Sequence, residues 1–151
     1  LASFEVPPQL VYLALIESGL QPEARSLIGA MGVWQFMPAT ARHYRLRVDE
    51  QRDDRRLWRQ STRAAGMHLY LLHRKFDDWL LAVAAYNAGE GTVIQALRRT
   101  GRRDWLALSA YEKLSPEQRH FVPKFLAALL LGQFRTHFGI APLPANACRG
   151  L

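Results

Sequence analysis

A ten-residue run, Leu10-Val11-Tyr12-Leu13-Ala14-Leu15-Ile16-Glu17-Ser18-Gly19, holds one glutamate inside an otherwise almost wholly apolar segment. Pro7 and Pro8 before it suit a helix start, and Gly19 with Pro22 after it suits a helix stop. A helix that is apolar on nearly every face belongs in an interior. Glu17 then falls in the last turn, where the macrodipole is negative, and away from bulk water. Both conditions disfavour the carboxylate, which predicts a raised pKa. A neutral carboxylic acid at working pH is what a general acid must be. Taken alone, the residue fits better a polar group surfacing at a helix end, since perturbed carboxylates also occur in structural networks.

The remaining pattern is helical almost throughout, with no persistent apolar–polar alternation. Residues 38–44 read as a short helix behind Pro38. Residues 45–59 are strongly charged and read as an exposed excursion in which no strand pair is legible. Ser61-Thr62 can cap a helix carrying Ala64, Ala65, Met67, Leu69, Leu71 and Leu72. Asp77-Asp78 can start another through Trp79 to Tyr86, and residues 90–99 a further short one that Gly101 ends. Ser115-Pro116-Glu117-Gln118 is a capping-box start for the last long helix, in which Pro123 is a point of possible bending. No repeat or linker divides the chain, which at 151 residues is the size of one domain.

Two further stretches carry chemistry. Gly29-Ala30-Met31-Gly32-Val33-Trp34-Gln35-Phe36-Met37-Pro38-Ala39-Thr40 sets glycines, a Trp, a Gln and a Met just before a helix. Small residues there let backbone approach a ligand; Gln35 can donate and accept hydrogen bonds, while Trp34 and Met37 offer apolar surface. Ala84-Ala85-Tyr86-Asn87-Ala88-Gly89-Glu90-Gly91 ends an apolar helix on a Tyr-Asn pair. Singly, each of these residues fits a core position.

In order, Glu17-Ser18, the block from Gly29 to Thr40 and the block from Ala85 to Gly89 resemble the lytic transglycosylases of the soluble-lytic-transglycosylase superfamily. Those enzymes carry a Glu-Ser pair, then GA-x-G-x-x-Q-x-M-P-x-T, then A-Y-N-A-G. The subgroup this chain resembles is the membrane-bound lytic transglycosylase D type, through the charged loop Val48-Asp49-Glu50-Gln51-Arg52-Asp53 and the Ser61-Thr62 pair after it. The resemblance runs from about Pro8 to about Ala128 and implies a mainly α, lysozyme-like single domain of packed helices with a glycan-binding groove. Residues 1–140 are expected to form that catalytic domain and residues 141–151 a loose C-terminal tail.

The resemblance also implies an activity and a site. Glu17, the one catalytic glutamate, would protonate the oxygen linking N-acetylmuramic acid to N-acetylglucosamine. It would then act as base on the C6 hydroxyl, which closes onto C1 and leaves a 1,6-anhydromuramoyl end, the substrate's acetamido group helping to stabilise the cationic centre. Tyr86 matches a tyrosine that points at this glutamate. Asn87 and the backbone near Ala88 are expected to bind sugar, Gln35 to contact acetamido groups and Met37 to supply apolar contact. Ser18 is expected either beside the glutamate or as a helix cap. Glu117-Gln118-Arg119-His120-Phe121-Val122 resembles a later E-T-R-x-Y-V block, with Gln118 in place of Thr and Phe121 in place of Tyr. Glu117 is expected at the groove edge.

Charge and composition are permissive. The net charge of +7 suits an acidic polymer as partner, but charge alone fits a solvated basic face better. No nucleic-acid module is recognisable, no Cys/His spacing suggests a metal, and no cofactor is expected. The five histidines, His43, His68, His73, His120 and His137, are scattered and read as solvated or packed. Cys148 has no partner for an internal disulfide, a weak argument against export. Leu1-Ala2-Ser3-Phe4-Glu5 carries no basic leader, and no apolar run reaches membrane-span length. The implied substrate lies in the periplasm or cell envelope, so the chain is expected to be the mature domain of an exported protein, with membrane contact only through an anchor outside it. Two other readings stand. One is a hydrolytic muramidase resembling goose-type lysozyme, with Asp49, Glu50, Asp53 or Glu117 as second acid. The other is a catalytically weak glycan-binding or scaffold domain of a secretion or phage assembly.

Overall fold

The computed structural model describes residue 1 and residues 4–141. Among the described residues seven α-helices follow one another: α1 (Val11–Ser18), α2 (Pro38–His43), α3 (Trp58–Phe76), α4 (Trp79–Ala88), α5 (Glu90–Thr100), α6 (Trp105–Ser109) and α7 (Pro116–Gln133). Short 3-10 turns precede α1 at Pro8–Leu10 and α3 at Asp54–Arg56. Among the described residues, β structure is limited to isolated bridges, Arg25 to Met31, Met31 to Phe36 and Val48 to Asp53.

The centre of the molecule is α4, packed against α3, α5, α6 and α7. Its run Leu81-Ala82-Val83-Ala84-Ala85 is buried on every face, and three alanines among five residues let the neighbouring helices close in. Asp78 caps it by accepting from the Leu80 and Leu81 amides, while Asp77, in left-handed conformation, ends α3. The full burial expected of α1 therefore belongs to α4. In α1 only Leu13 and Ala14 are buried, and Val11 and Leu15 are 43% and 41% exposed. That helix lies on the surface against α7, so it has one covered face.

Helix ends follow the punctuation of the sequence with two exceptions. Gly19 closes α1 at φ 62°, Gly101 closes α5, and the Ser115–Gln118 capping box opens α7. The first exception is α3, which starts at Trp58. Ser61 lies inside its first turn, its hydroxyl donating back to the Leu57 carbonyl, and the Thr62 hydroxyl accepts from the Trp34 indole at 2.9 Å. These residues hold the turn and the tryptophan and do not cap the helix. The second is α6, capped by Asp104 at the Ala107 amide, whose five residues are too few to carry a helical period in the sequence.

The charged excursion is only partly exposed. Asp54 and Arg55 are buried, at 7% and 6% exposure. Arg55 forms a two-pronged ion pair with Asp53 (2.8 and 2.6 Å) and donates to the carbonyls of Gly29 and Phe36, both at 2.9 Å. The segment clamps the glycine-rich block from behind. No described helix is long and apolar enough to cross a membrane. The expected tail from 141 and Cys148 lie, beyond residue 141 itself, outside the described residues.

Candidate active site

Glu17 lines a groove of about 500 Å³ between the end of α1, the glycine-rich block, the end of α4 and the start of α7. Sequence-distant elements meet here because α7 runs along α1. The Lys124 ammonium donates to the Ile16 carbonyl at 3.0 Å, and Glu117 faces the same groove as Glu17. Burial, reinforced by the Glu117 charge and opposed by Lys124, raises the Glu17 pKa from 4.5 to about 7. The carboxyl is therefore protonated in a substantial fraction of molecules at neutral pH, and can both give and take a proton.

The glycine-rich block forms the facing wall through a strained turn. Gly32 has φ 84° and Gln35, a non-glycine residue, φ 48°. The turn is closed by the Gln35 amide donating to the Gly32 carbonyl, and by Met31 donating to Phe36. Gln35 holds this shape with its own side chain: Nε2 donates to the carbonyls of Ala24 (3.0 Å) and Gly32 (2.8 Å). Its donors are thus spent internally, and Oε1 is what it offers the groove. Met37, 38% exposed, lines the groove as apolar surface. Trp34 does not. At 1% exposure its indole is core, anchored to Thr62, which removes it from the apolar contacts expected of the block.

Tyr86, Asn87 and Ala88 come to the groove from the last turn of α4. The Tyr86 hydroxyl donates to the Trp34 carbonyl at 2.8 Å, and burial, followed by the Glu17 charge, pushes its pKa well above the usual value. Tyr86 is therefore a protonated phenol whose hydrogen is committed to the backbone of the opposite wall; its oxygen lone pairs remain available. Asn87 Oδ1 is buried without a hydrogen-bond partner among the described residues. Enclosed in this way, that oxygen is not a surface offered to a ligand, and Asn87 lines the groove through the rest of its side chain.

Ser18 stands apart from the other expected binding residues. Its hydroxyl donates to the Val33 carbonyl at 2.8 Å and to Ala14 at 3.1 Å, and it is not part of the groove lining. It ties the end of α1 to the glycine-rich block, and so positions its neighbour Glu17. Of the acids considered as second carboxylates, only Glu117 lines the groove. Asp49 pairs with Arg47, Asp53 with Arg55, and Glu50 lies elsewhere. Reading the sequence missed three residues that matter here: His68 and Glu90, which line the groove, and Lys124, which tunes Glu17. For His68 a signal existed, since it falls on the α3 stripe of Ala64, Ala65, Leu69 and Leu72, a buried face.

Comparison with known proteins decides the family. The transglycosylase SLT domain model matches residues 2–112. The chain belongs to the transglycosylase SLT domain family. Membrane-bound lytic murein transglycosylase D of Escherichia coli K12 is 41% identical over 127 residues, which is 81% of this chain and 27% of that protein. Peptidoglycan transglycosylase gp16 of phage T7 is 37% identical over 140 residues, 86% of this chain and 10% of that protein. Among solved structures, the 70 kDa soluble lytic transglycosylase SLT70 of E. coli superposes with TM-score 0.73 at 24% identity, over 96% of this chain and 24% of that one. A complex of the 70 kDa soluble lytic transglycosylase with bulgecin A gives TM-score 0.73 at 26% identity, over 94% and 24%. The helical, lysozyme-like architecture of the SLT domain is thus that of this chain, which spans about a quarter of the length of the first of these relatives.

Proposed function

We propose that this SLT domain is a peptidoglycan lytic transglycosylase acting in the periplasm or cell envelope. It cleaves the β-1,4 bond between N-acetylmuramic acid and N-acetylglucosamine. The observation that carries the reading is Glu17, a groove-lining carboxyl whose pKa of about 7 suits it to act first as acid and then as base.

In the proposed reaction the Glu17 carboxyl gives its proton to the glycosidic oxygen and the C1–O bond breaks, freeing the N-acetylglucosamine 4-hydroxyl. The cationic C1 centre is stabilised by the substrate's own acetamido group. The Glu17 carboxylate then takes the proton of the C6 hydroxyl as O6 bonds to C1. Glu17 returns to its acid form, water is not consumed, and the new end is 1,6-anhydromuramic acid. Tyr86 keeps the wall opposite Glu17 in register through Trp34, and its oxygen can accept from the protonated carboxyl. Gln35 Oε1 is an acceptor suited to amide N–H and hydroxyl groups of the glycan and the Asn87 side chain lines the same groove, with Met37 and Ala88 supplying contact surface and Glu117 closing the groove edge.

Mass spectrometry of purified peptidoglycan digested by the wild-type chain, with Glu17→Gln as control, tests the proposal. Fragments ending in 1,6-anhydromuramic acid, absent with the variant, are expected. Ends heavier by one water would make the enzyme a hydrolase and point to Glu117 as second carboxylate. Digestion unaffected by Glu17→Gln would remove Glu17 from the chemistry.

A further inference from the structure

The groove carries acceptors and donors. Glu117, Gln35 Oε1 and Glu90, which also accepts from Lys75, are acceptors, the Ser26 and Thr40 hydroxyls can donate, and the Gln35 amide hydrogens are spent on backbone. An N-acetylated glycan presents an amide carbonyl on each sugar, and a buried carbonyl needs a donor. His68 is placed to be one.

The His68 ring comes from α3 and lines the groove beside Tyr86, with ring centroids 5.2 Å apart. Tyr44 (5.0 Å) and Phe36 (6.3 Å) pack on it as well, so the imidazole is held in place. The Tyr44 hydroxyl lies 2.7 Å from Nδ1. Burial first, with His43 adding to it and Glu90 opposing, lowers the His68 pKa to about 4, so the ring is neutral at pH 7. Burial raises the pKa of Tyr44, which therefore keeps its phenolic proton. The contact fits either tautomer; with the phenol donating to Nδ1, the ring proton sits on Nε2, and that is the tautomer the proposal uses. Among the described residues no acceptor takes a bond from Nε2.

Resting on the glycan reading above, we propose that His68, fixed by Tyr44, is a specificity residue whose Nε2–H donates to an acetamido carbonyl of the bound glycan. It would distinguish N-acetylated sugar from sugar carrying a hydroxyl at C2. Gln35 Oε1, an acceptor in the same groove, complements this donor for the amide N–H.

The test is calorimetric binding at pH 7 in the non-cleaving Glu17→Gln background, with tetra-N-acetylchitotetraose against cellotetraose, a neutral β-1,4 tetramer with hydroxyls at C2. His68→Phe keeps an aromatic ring and removes the donor. It is expected to weaken the acetylated ligand about tenfold and to leave cellotetraose unchanged. His68→Gln, whose amide nitrogen reaches the position of Nε2, is expected to recover most of that loss. Tyr44→Phe leaves the His68 ring intact but frees its tautomer, and is expected to cost roughly two- to threefold. Thermal melts of each variant show that it is folded. Equal weakening of both ligands, no weakening by His68→Phe, no recovery by His68→Gln, or no sugar binding at all would overturn the proposal. Binding that follows the expected pattern while the wild type fails to cleave peptidoglycan would sink the transglycosylase reading and leave His68 standing.

Discussion

The backbone of Arg55 touches Gly32 so closely that a Cβ on Gly32 would lie 2.0 Å from the Arg55 carbonyl oxygen. The glycine-rich block and the charged segment are thereby fitted together without room for one methyl group, and the block is the wall that faces Glu17. Gly32→Ala is expected to destabilise the fold by about 3 kcal/mol or more, since it adds a backbone clash to a left-handed φ. Gly29, at φ 91° with nothing within 4 Å of a built Cβ, carries only the conformational cost, about 1–2 kcal/mol for Gly29→Ala. Urea unfolding of both variants checks the ordering; equal losses would mean that the contact with Arg55 is not what matters.

The Glu17 pKa sets the alkaline limb of activity. The acid form is needed for the first step, so turnover should fall as pH rises through about 7. Glu117→Gln removes a charge that raises this pKa and should move the limb to lower pH. Lys124→Met removes a charge that lowers it and should move the limb to higher pH. Rate profiles of the two variants shifting in the same direction would contradict the electrostatic account.

The same pKa makes Glu17 a liability for stability. The folded state holds the proton more tightly than the unfolded chain does, so no cost exists below about pH 4.5 and the cost grows until about pH 7. A rise from 4.5 to about 7 corresponds to roughly 3 kcal/mol. Relative to the wild type, Glu17→Gln should therefore gain stability between pH 5 and pH 8, as measured by unfolding at both values.

Asp53 has the opposite sign. Its pairing with Arg55 holds its pKa below the usual carboxylate value, so the pair's contribution is present above about pH 4 and is lost as pH falls through the folded value. Asp53→Asn should lower stability at pH 7 and flatten the acid limb of the melting curve. A variant whose melting temperature still falls as steeply below pH 4 would assign that limb to other carboxylates.

Tyr86→Phe removes a hydroxyl that bonds the Trp34 carbonyl and leaves that carbonyl without its partner. A loss of about 1–3 kcal/mol in stability is expected together with the fall in turnover. Parallel thermal and kinetic measurements separate the structural part of its role from the catalytic part.

Much of the scaffold is legible one element at a time. Gly19 and Gly101 stop helices because they adopt left-handed conformations cheaply, and Ser115 with Gln118 starts one because its side chains satisfy free amides. Those are local effects, carried by neighbours in the chain. The assignments that failed depend on partners far away. Residues 45–59 look solvated by composition, yet Arg55 is buried because the carbonyls of Gly29 and Phe36 and the carboxylate of Asp53 satisfy it. Trp34 looks like ligand surface, yet it is core because Thr62 accepts its N–H.

The site divides along the same line. The family resemblance, the glutamate at a helix end and the order of the blocks that meet around it are legible along the chain, since these are properties of residue type and spacing. The direction of the Glu17 shift was legible too, but its size and the charges that set it, the commitment of the Tyr86 hydroxyl and the Gln35 amide to backbone, and the place of His68 in the groove all come from the packed molecule. Burial and charge act through space, and the groups that set them, Glu117 and Lys124 on α7, lie about a hundred residues along the chain from the carboxyl they tune.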